Sequence, residues 1–333
     1  MCLRTYGTPL SYTTLAQREK NIIKGRFAPS PSGRMHLGNV FAALLSWLAA
    51  KSRNGAWLLR IEDLDTQRCK RDYALQIEDD LAWLGLEWDE GGTDGKGQAG
   101  PYCQSLRSDI YQEYFSRLRS LGHTYPCTCK RADILATQAP HESDGRVAYK
   151  GTCRPAEMPP FPSDHTLQHA TRLYVPDEDI RFNDLVFGLQ SINLSRQCGD
   201  FILRRADGAW AYQLAVVVDD ALMGVNQVVR GCDLLLSAAQ QIYLFTLLGF
   251  APPQYGHVPL LCNGAGQRLS KRDSAMDMGQ LRRRLSPGQI IGALACAAGL
   301  QPTPDACSAD SLIQAFVPDK IRKTHEIIIQ EPL

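Results

Sequence analysis

The feature that most narrows the possible folds is a strand, a helix and a second strand packed into residues 21–61. Asn21 to Phe27 reads as a short strand, stopped by Pro29 and Pro31. Leu37 to Ser52 reads as a mostly buried helix, and Asn54-Gly55 is its break, a pair that favours a turn. Ala56 to Ile61 is a second short apolar strand. This succession is a βαβ unit. Its crossover is expected to be right-handed, which makes the two strands parallel neighbours. Ligands in such sheets bind beyond the carboxyl ends of the strands. Those ends are Ala28–Ser30 and Glu62–Asp65, so both are expected to face one cleft.

Further along, Asp72 to Leu84 and Ser108 to Leu121 read as helices. From His123 to Cys198 the chain is rich in Pro, Cys and polar residues with little periodicity, and this stretch is read as an inserted subdomain. Sheet-like texture then returns. Gln213 to Val218 is apolar and β-branched and reads as a strand ending in Asp219-Asp220. Val225 to Val229 reads as another, ending in Arg230-Gly231. Asp233 is placed to cap the helix that runs to Leu248. Tyr255 to Leu261 reads as one more strand, followed by the loop Cys262–Arg272. From Met276 on the reading is helical. The expected organisation is an extension (1–20), a first half-domain (21–122), the insertion (123–198), a second half-domain (199–275) and a helical tail (276–333).

Formal net charge is +1 over 333 residues, so any nucleic-acid contact must come from local patches such as Arg282-Arg283-Arg284 and Asp319–Lys323. Eleven cysteines with scattered spacing argue against a disulfide framework. Met1 to Lys20 has no signal-peptide core. The apolar run Val40–Ala50 contains Ser46 and is too short to span a bilayer. The expected setting is the reducing cytoplasm, with no membrane partner.

His36-Leu37-Gly38-Asn39 sits where the first strand turns into the helix. A helix N-terminus offers unpaired backbone N–H groups and a positive dipole end, which suit a phosphate. Gly33 and Gly38 allow close backbone approach, and His36 can donate to a phosphate oxygen. By itself the tetrapeptide reads equally as a turn with a surface histidine. Arg268-Leu269-Ser270-Lys271-Arg272 follows the last strand on a loop loosened by Gly264 and Gly266, with Lys271 as a point charge. Alone it reads as a solvated basic turn. Together the two motifs bracket a parallel sheet.

Arg26-Phe27-Ala28-Pro29-Ser30-Pro31-Ser32-Gly33-Arg34-Met35-His36-Leu37-Gly38-Asn39 resembles the first signature of class I glutamyl-tRNA synthetases, and Arg268–Arg272 resembles their second. Leu59–Asp65 and Val217–Asp220 also fit that family. Asn39 replaces the final His of the first signature, and Leu269 stands where the second often has Met. The resemblance implies an α/β fold with a Rossmann-type parallel sheet and attack of an amino-acid α-carboxylate on the α-phosphorus of ATP, accompanied by Mg2+. His36 and Lys271 are then the candidate catalytic groups, and His36, Gly38, Asn39, Ser270 and Lys271 the candidate ATP contacts. A glutamate pocket needs a fork-like cation for a carboxylate and an anion for the ammonium. The resemblance assigns that pocket to Arg26, Ala28, Pro29, Ser30, Glu62, Tyr212 and Arg230.

Cys127-Thr128-Cys129 lies in the insertion, with Tyr149 and Cys153 following. Three thiolates and a fourth ligand can hold a soft tetrahedral ion such as Zn2+, although this spacing also suits unrelated thiols. Truncated members of the family carry a structural zinc on C-x-C, a Tyr and a Cys, which implies Cys127, Cys129, Tyr149 and Cys153, with His141 the competing fourth ligand. Residues 273–333 leave room for a few helices, so the chain is expected to resemble that truncated branch. The branch activates glutamate without tRNA and transfers it to queuosine at the wobble position of tRNA(Asp). The implied partners are ATP, L-glutamate and the tRNA(Asp) anticodon stem-loop, with the protein acting as a monomer. A tRNA 3′ end as acceptor, or a non-catalytic tRNA-binding paralogue, are the alternatives.

Overall fold

The computed structural model describes residues 22–129, 148–156, 169–269 and 276–329. The βαβ unit is at its centre. Strands β1 (Lys24–Phe27) and β2 (Ala56–Leu59) pair in parallel, Lys24 opposite Ala56 and Phe27 opposite Leu59. Helix α1 (Leu37–Lys51) connects them, with its apolar run buried along its length. The hydroxyl of Ser46 is satisfied inside that run: it donates to Ala43 O and accepts from the Trp57 indole N–H, both at 3.0 Å. Strand β3 (Glu90–Gly91) extends the sheet beyond β2.

Strands β9 (Gln227–Gly231) and β10 (Gln254–Val258) form a second parallel pair. It abuts β1, because Lys24 N–H donates to Asn226 Oδ1 at 2.8 Å and Asn226 N–H donates to Lys24 O at 3.1 Å. The strands therefore lie in the order β10-β9-β1-β2-β3, with parallel pairing within each sheet, as the βαβ reading predicts for β1 and β2. Around it lie α2 (Arg71–Trp83), α3 (Ser108–Ser120), α5 (Tyr212–Leu222) and α6 (Leu235–Leu248).

The described residues between Thr124 and Arg204 contribute two antiparallel units. Strands β4 (Thr124–Cys127), β5 (Ala170–Leu173) and β8 (Phe201–Arg204) form one sheet, which reaches past Cys198. Strands β6 (Asp179–Asp184) and β7 (Gly188–Asn193) form a hairpin, and the short helix α4 (Leu194–Gln197) follows. The hairpin end docks on the parallel sheet, with Leu185 N–H donating to Tyr255 O at 2.9 Å.

Four local expectations are corrected. Gln213 to Val218 is not a strand but the body of α5. Every residue from Leu214 to Asp220 is buried, so no polar stripe marks the helical period and the β-branched run misleads. Asp233 does not cap α6. It lies in the one-turn 3-10 segment Cys232–Leu234, and its carboxylate is taken by Arg268 at 2.6 Å. Tyr255–Leu261 is two strands, because the chain breaks at Pro259 between β10 and β11 (Leu260–Cys262). The tail holds helices α7 (Met278–Arg284), α8 (Pro287–Ala298) and α9 (Ala309–Leu312), but it ends in strand β12 (Glu326–Ile328), parallel to β11. There the β-branched run Ile327–Ile329 completes an edge. The calls on residues 1–20, His141, Ser270, Lys271 and Arg272 lie outside the described residues.

Helical geometry gives Asp219 and Asp220 different neighbours, since successive residues point about 100° apart. Asp219 accepts from Arg107 Nε at 2.6 Å, Gln104 Nε2 at 2.8 Å and Tyr111 Oη at 2.9 Å. Asp220 accepts from Arg60 Nη1 at 2.6 Å and from Arg26 Nε at 3.4 Å. Arg60, Asp219 and Asp220 are fully buried. Burial opposes the charge on Arg60, but Asp220, Glu62 and Asp219 outweigh it and raise its pKa. Asp220→Ala removes one partner of a buried ion pair and is expected to cost about 3–5 kcal/mol, read as a lower urea midpoint. An unchanged midpoint would show that Asp219 and Glu62 suffice to hold Arg60.

Candidate active site

A pocket opens at the carboxyl ends of β1, β2 and β9. Arg26, Ala28, His36, Gly38, Asn39, Glu62, Tyr212 and Arg230 all line it, together with Asp233, Arg268 and Leu269 from the base of the second motif. The structure thus gathers most of the sequence-derived set. Pro29 is buried beside the pocket, where its carbonyl accepts from Glu62 N–H at 3.0 Å. Ser30 instead lines a neighbouring cleft, which shares Glu62 and Tyr212 with the pocket and continues past Arg68 to Arg205 and Trp210.

At the start of α1, His36 is the N-cap residue. Its Nδ1 accepts from Gly38 N–H at 3.2 Å, and Asn39 Oδ1 accepts from His36 N–H at 3.1 Å. This reciprocal arrangement is a capping box. It gives Asn39 a definite role at the position where the sequence departs from the signature. Because Nδ1 is an acceptor, the neutral ring carries its proton on Nε2. A Cβ on Gly38 would lie 3.1 Å from the His36 ring, so glycine leaves room for the ring to fold back. Leu269, the other departure, is 1% exposed within the main core, and its N–H donates to Leu261 O at 2.9 Å. An apolar side chain is what that position requires.

The pocket's arginines differ in their partners. Arg26 leans on Asp220, whereas Arg230 is 5% exposed and pairs with no carboxylate among the described residues. Its acceptors are neutral: Gln241 Oε1 at 2.8 Å, His257 Nε2 at 3.3 Å and Leu234 O at 3.3 Å. It also sits over the Tyr255 ring, 5.1 Å from the centroid. Burial and the Arg230 charge hold the His257 imidazole below its ordinary range despite the Asp184 carboxylate, so it is neutral. Burial would raise Asp184, but the His257 contact and the Phe187 and Val186 N–H groups hold it low, so it is ionised.

Of the pocket's two carboxylates, Asp233 is taken by Arg268 and Glu62 is the other. It accepts from Arg60 Nη2 at 3.1 Å. Burial pushes its carboxyl above the usual range, against the pull of Arg60 and Arg26.

Away from the pocket, Sγ of Cys127, Cys129 and Cys153 lie within 4.8 Å of one another, a group able to hold a metal ion. Tyr149 Oη is 3.6 Å from Cys127 Sγ and 3.9 Å from Cys129 Sγ. Arg172 Nε donates to Cys127 Sγ at 3.1 Å and its guanidinium lies 3.7 Å over the Tyr149 ring, which favours anionic donors. Burial would raise Cys153, but hydrogen bonds from the Thr128 backbone and from Cys129 and Tyr149 bring it to about 6. All described cysteines are free thiols. No described helix is long and apolar enough to cross a membrane.

The residues missed by sequence reasoning are Arg60, Arg107, Asp184, Gln241 and His257. Arg60 had a signal, since a charge inside the apolar run Trp57–Ile61 must find a buried partner. The others act across distant segments and had none.

Comparison with known proteins agrees with this geometry. Residues 22–331 match the family described as tRNA synthetases class I (E and Q), catalytic domain. A glutamate tRNA ligase from Elizabethkingia meningosepticum, solved with its amino acid, superposes with a TM-score of 0.76 at 28% identity. The match covers 91% of this chain and 66% of that one. The chain belongs to the class I tRNA synthetases of the glutamate and glutamine type. Within them it belongs to the glutamyl-Q tRNA(Asp) synthetases. It is 46% identical over 299 residues to the glutamyl-Q tRNA(Asp) synthetase of Symbiobacterium thermophilum, covering 88% of this chain and 91% of that protein. It is 47% identical over 285 residues to that of Nitratidesulfovibrio vulgaris, covering 84% and 88%.

Glu62 in the pocket wall and Asp220 buried behind Arg26 make opposite pH contributions. The folded pKa of Glu62 is raised, so its share of stability is full below the unfolded value of about 4.3 and is lost as pH rises through the folded value. Asp220 is depressed by Arg26 and Arg60 against burial, so its share is present above an unfolded value of about 3.9 and is lost as pH falls through the folded one. Glu62→Gln is therefore expected to raise the urea midpoint at pH 7, with the gain fading in acid. Asp220→Asn is expected to lower it at pH 7, with the loss fading in acid. Parallel pH curves for both variants and wild type would contradict this assignment.

Proposed function

We propose that this chain activates L-glutamate with ATP, without needing tRNA, and transfers the glutamyl group to queuosine at the wobble position of tRNA(Asp). The observation that carries the reading is Arg230, a buried guanidinium in the pocket wall whose acceptors among the described residues are all neutral. A buried cation left this way calls for an anion from the ligand, and a carboxylate fits its fork. Glu62 supplies the complementary charge for the ammonium, and Tyr212 and Arg26 close the wall between them. Ala28 lines the pocket between them, Pro29 holds the Glu62 backbone from behind, and Ser30 lies in the adjoining cleft.

ATP phosphates then lie at the N-terminus of α1, against the backbone of Gly38 and Asn39 and the Nε2–H of His36. Ser270 and Lys271 are read as further phosphate contacts, since they directly follow Arg268 and Leu269, which line the same pocket. Mg2+ bound with the ATP would neutralise phosphate charge. The α-carboxylate oxygen attacks the α-phosphorus, the bond to the bridging oxygen breaks, and pyrophosphate leaves. His36 and Lys271 stabilise the charge that develops on the non-bridging oxygens. A hydroxyl of the queuosine cyclopentene ring then attacks the glutamyl carbonyl and AMP leaves. The cleft sharing Glu62 and Tyr212 is open to that acceptor.

The cysteine group is read as a structural Zn2+ site. Donors about 2.3 Å from a tetrahedral Zn2+ lie about 3.8 Å apart. The Cys129–Cys153 separation of 3.4 Å and the Tyr149 distances of 3.6 and 3.9 Å fit that spacing. Bound there, Zn2+ would brace the β4-β5-β8 sheet.

ATP–pyrophosphate exchange with glutamate and no tRNA is the deciding measurement. Exchange is expected, and its absence would sink the reading. Label from glutamate is expected in the anticodon loop of tRNA(Asp), and label at the 3′ end would favour ordinary tRNA charging. His36→Ala or Lys271→Ala is expected to lower kcat by about 10²–10³. Elemental analysis should give one zinc per chain, lost in Cys153→Ser.

A further inference from the structure

The Arg230 guanidinium is held by a chain of groups that no signature motif contains. His257 stands directly opposite Arg230 in the parallel register of β10 and β9. Its Nε2 accepts from Arg230 Nε at 3.3 Å, and its Nδ1 meets Asp184 Oδ2 at 2.6 Å. Asp184 is fixed in turn: its Oδ1 accepts the N–H groups of Val186 and Phe187 at 3.0 Å and of His257 at 3.1 Å. Asp184 and His257 are both close to fully buried. The charged group at each end selects one tautomer over the alternative in which Nε2–H turns to the Leu234 carbonyl. A guanidinium only donates, so Nε2 must be bare, and an ionised carboxylate only accepts, so Nδ1 must carry the proton.

We propose that Asp184 and His257 are positioning residues for substrate recognition: Asp184 fixes the Nδ1–H tautomer of His257, and His257 thereby aims the Arg230 fork at the substrate's side-chain carboxylate without adding a competing negative charge. The inference rests on the glutamate reading of Arg230 given above. Placing Asp184 itself against Arg230 would anchor it as firmly but would neutralise it. The neutral imidazole passes on the orientation and keeps the two charges apart. This arrangement ties the β6–β7 hairpin of the insertion to the amino-acid pocket of the sheet.

Three substitutions test it through ATP–pyrophosphate exchange. Asp184→Asn keeps Oδ1 on its three backbone donors, so its amide NH2 replaces Oδ2 and must donate to His257 Nδ1. The ring proton then moves to Nε2 and faces the Arg230 N–H. A forced wrong tautomer of this kind is a known route to lost function with geometry kept. Asp184→Asn is expected to raise KM for glutamate about tenfold, the loss of a single hydrogen bond to a charged group, with KM for ATP unchanged. His257→Asn can still donate to Asp184 but no longer reaches Arg230, and the same rise is expected. His257→Gln places an amide oxygen near the Nε2 position and is expected to restore KM to within about threefold.

Thermal melts separate misfolding from mispositioning, because a merely structural role would lower Tm and affect ATP and glutamate alike. Unchanged glutamate KM in both Asp184→Asn and His257→Asn would overturn the inference, as would equal effects on the two substrates. Failure of the wild-type chain to exchange would overturn the glutamate reading itself, and this inference with it.

Discussion

The pair Asp219–Asp220 on α5 is the constraint on which the rest of the structure depends. Two adjacent carboxylates, both fully buried, gather Arg107 and Tyr111 from the α3 region, Arg60 from the end of β2 and Arg26 from β1. Each element brings a charge that cannot be buried alone. The network therefore locks the two halves of the chain in one arrangement, with the ends of β1, β2 and β9 around one pocket. Apolar packing holds the layers together, but it is non-directional. The ion pairs set the register.

Against that background the state of Arg230 is informative. The protein supplies carboxylates for Arg26, Arg60 and Arg107 and surrounds Arg230 with Gln241, His257 and a backbone carbonyl instead. Keeping a buried guanidinium unneutralised is costly unless a ligand completes it. A bound carboxylate would do so, and Glu62 across the pocket would meet a ligand's ammonium. A similar division holds at the start of α1, where His36 and Asn39 satisfy each other's groups and hold the ring with Nε2–H as its donor.

Much of this was legible in the chain. The β1-α1-β2 unit could be read because α1 is long and its flanking breaks, Pro29, Pro31 and Asn54-Gly55, are local. The pocket residues came from motifs short enough to be contiguous. The misread elements share a cause. Leu214–Asp220 is buried on all sides, so helical periodicity never shows. Glu326–Ile328 is a strand only because β11 lies beside it. Asp233 looked like a cap because its nearest partner in sequence is a helix, but its partner in space is Arg268.

The sequence alone determined the local order: a strand, a phosphate-suited helix start, a second strand, a C-x-C pair and a basic loop. These follow from backbone preferences and from residues that act within a few positions of one another. Tertiary structure decided which charges meet. Nothing in the chain says that Asp220 serves Arg60, 160 residues away, or that Asp184 reaches Arg230 through His257. Those pairings depend on which strands lie side by side and which volumes exclude water, and both are properties of the packed whole.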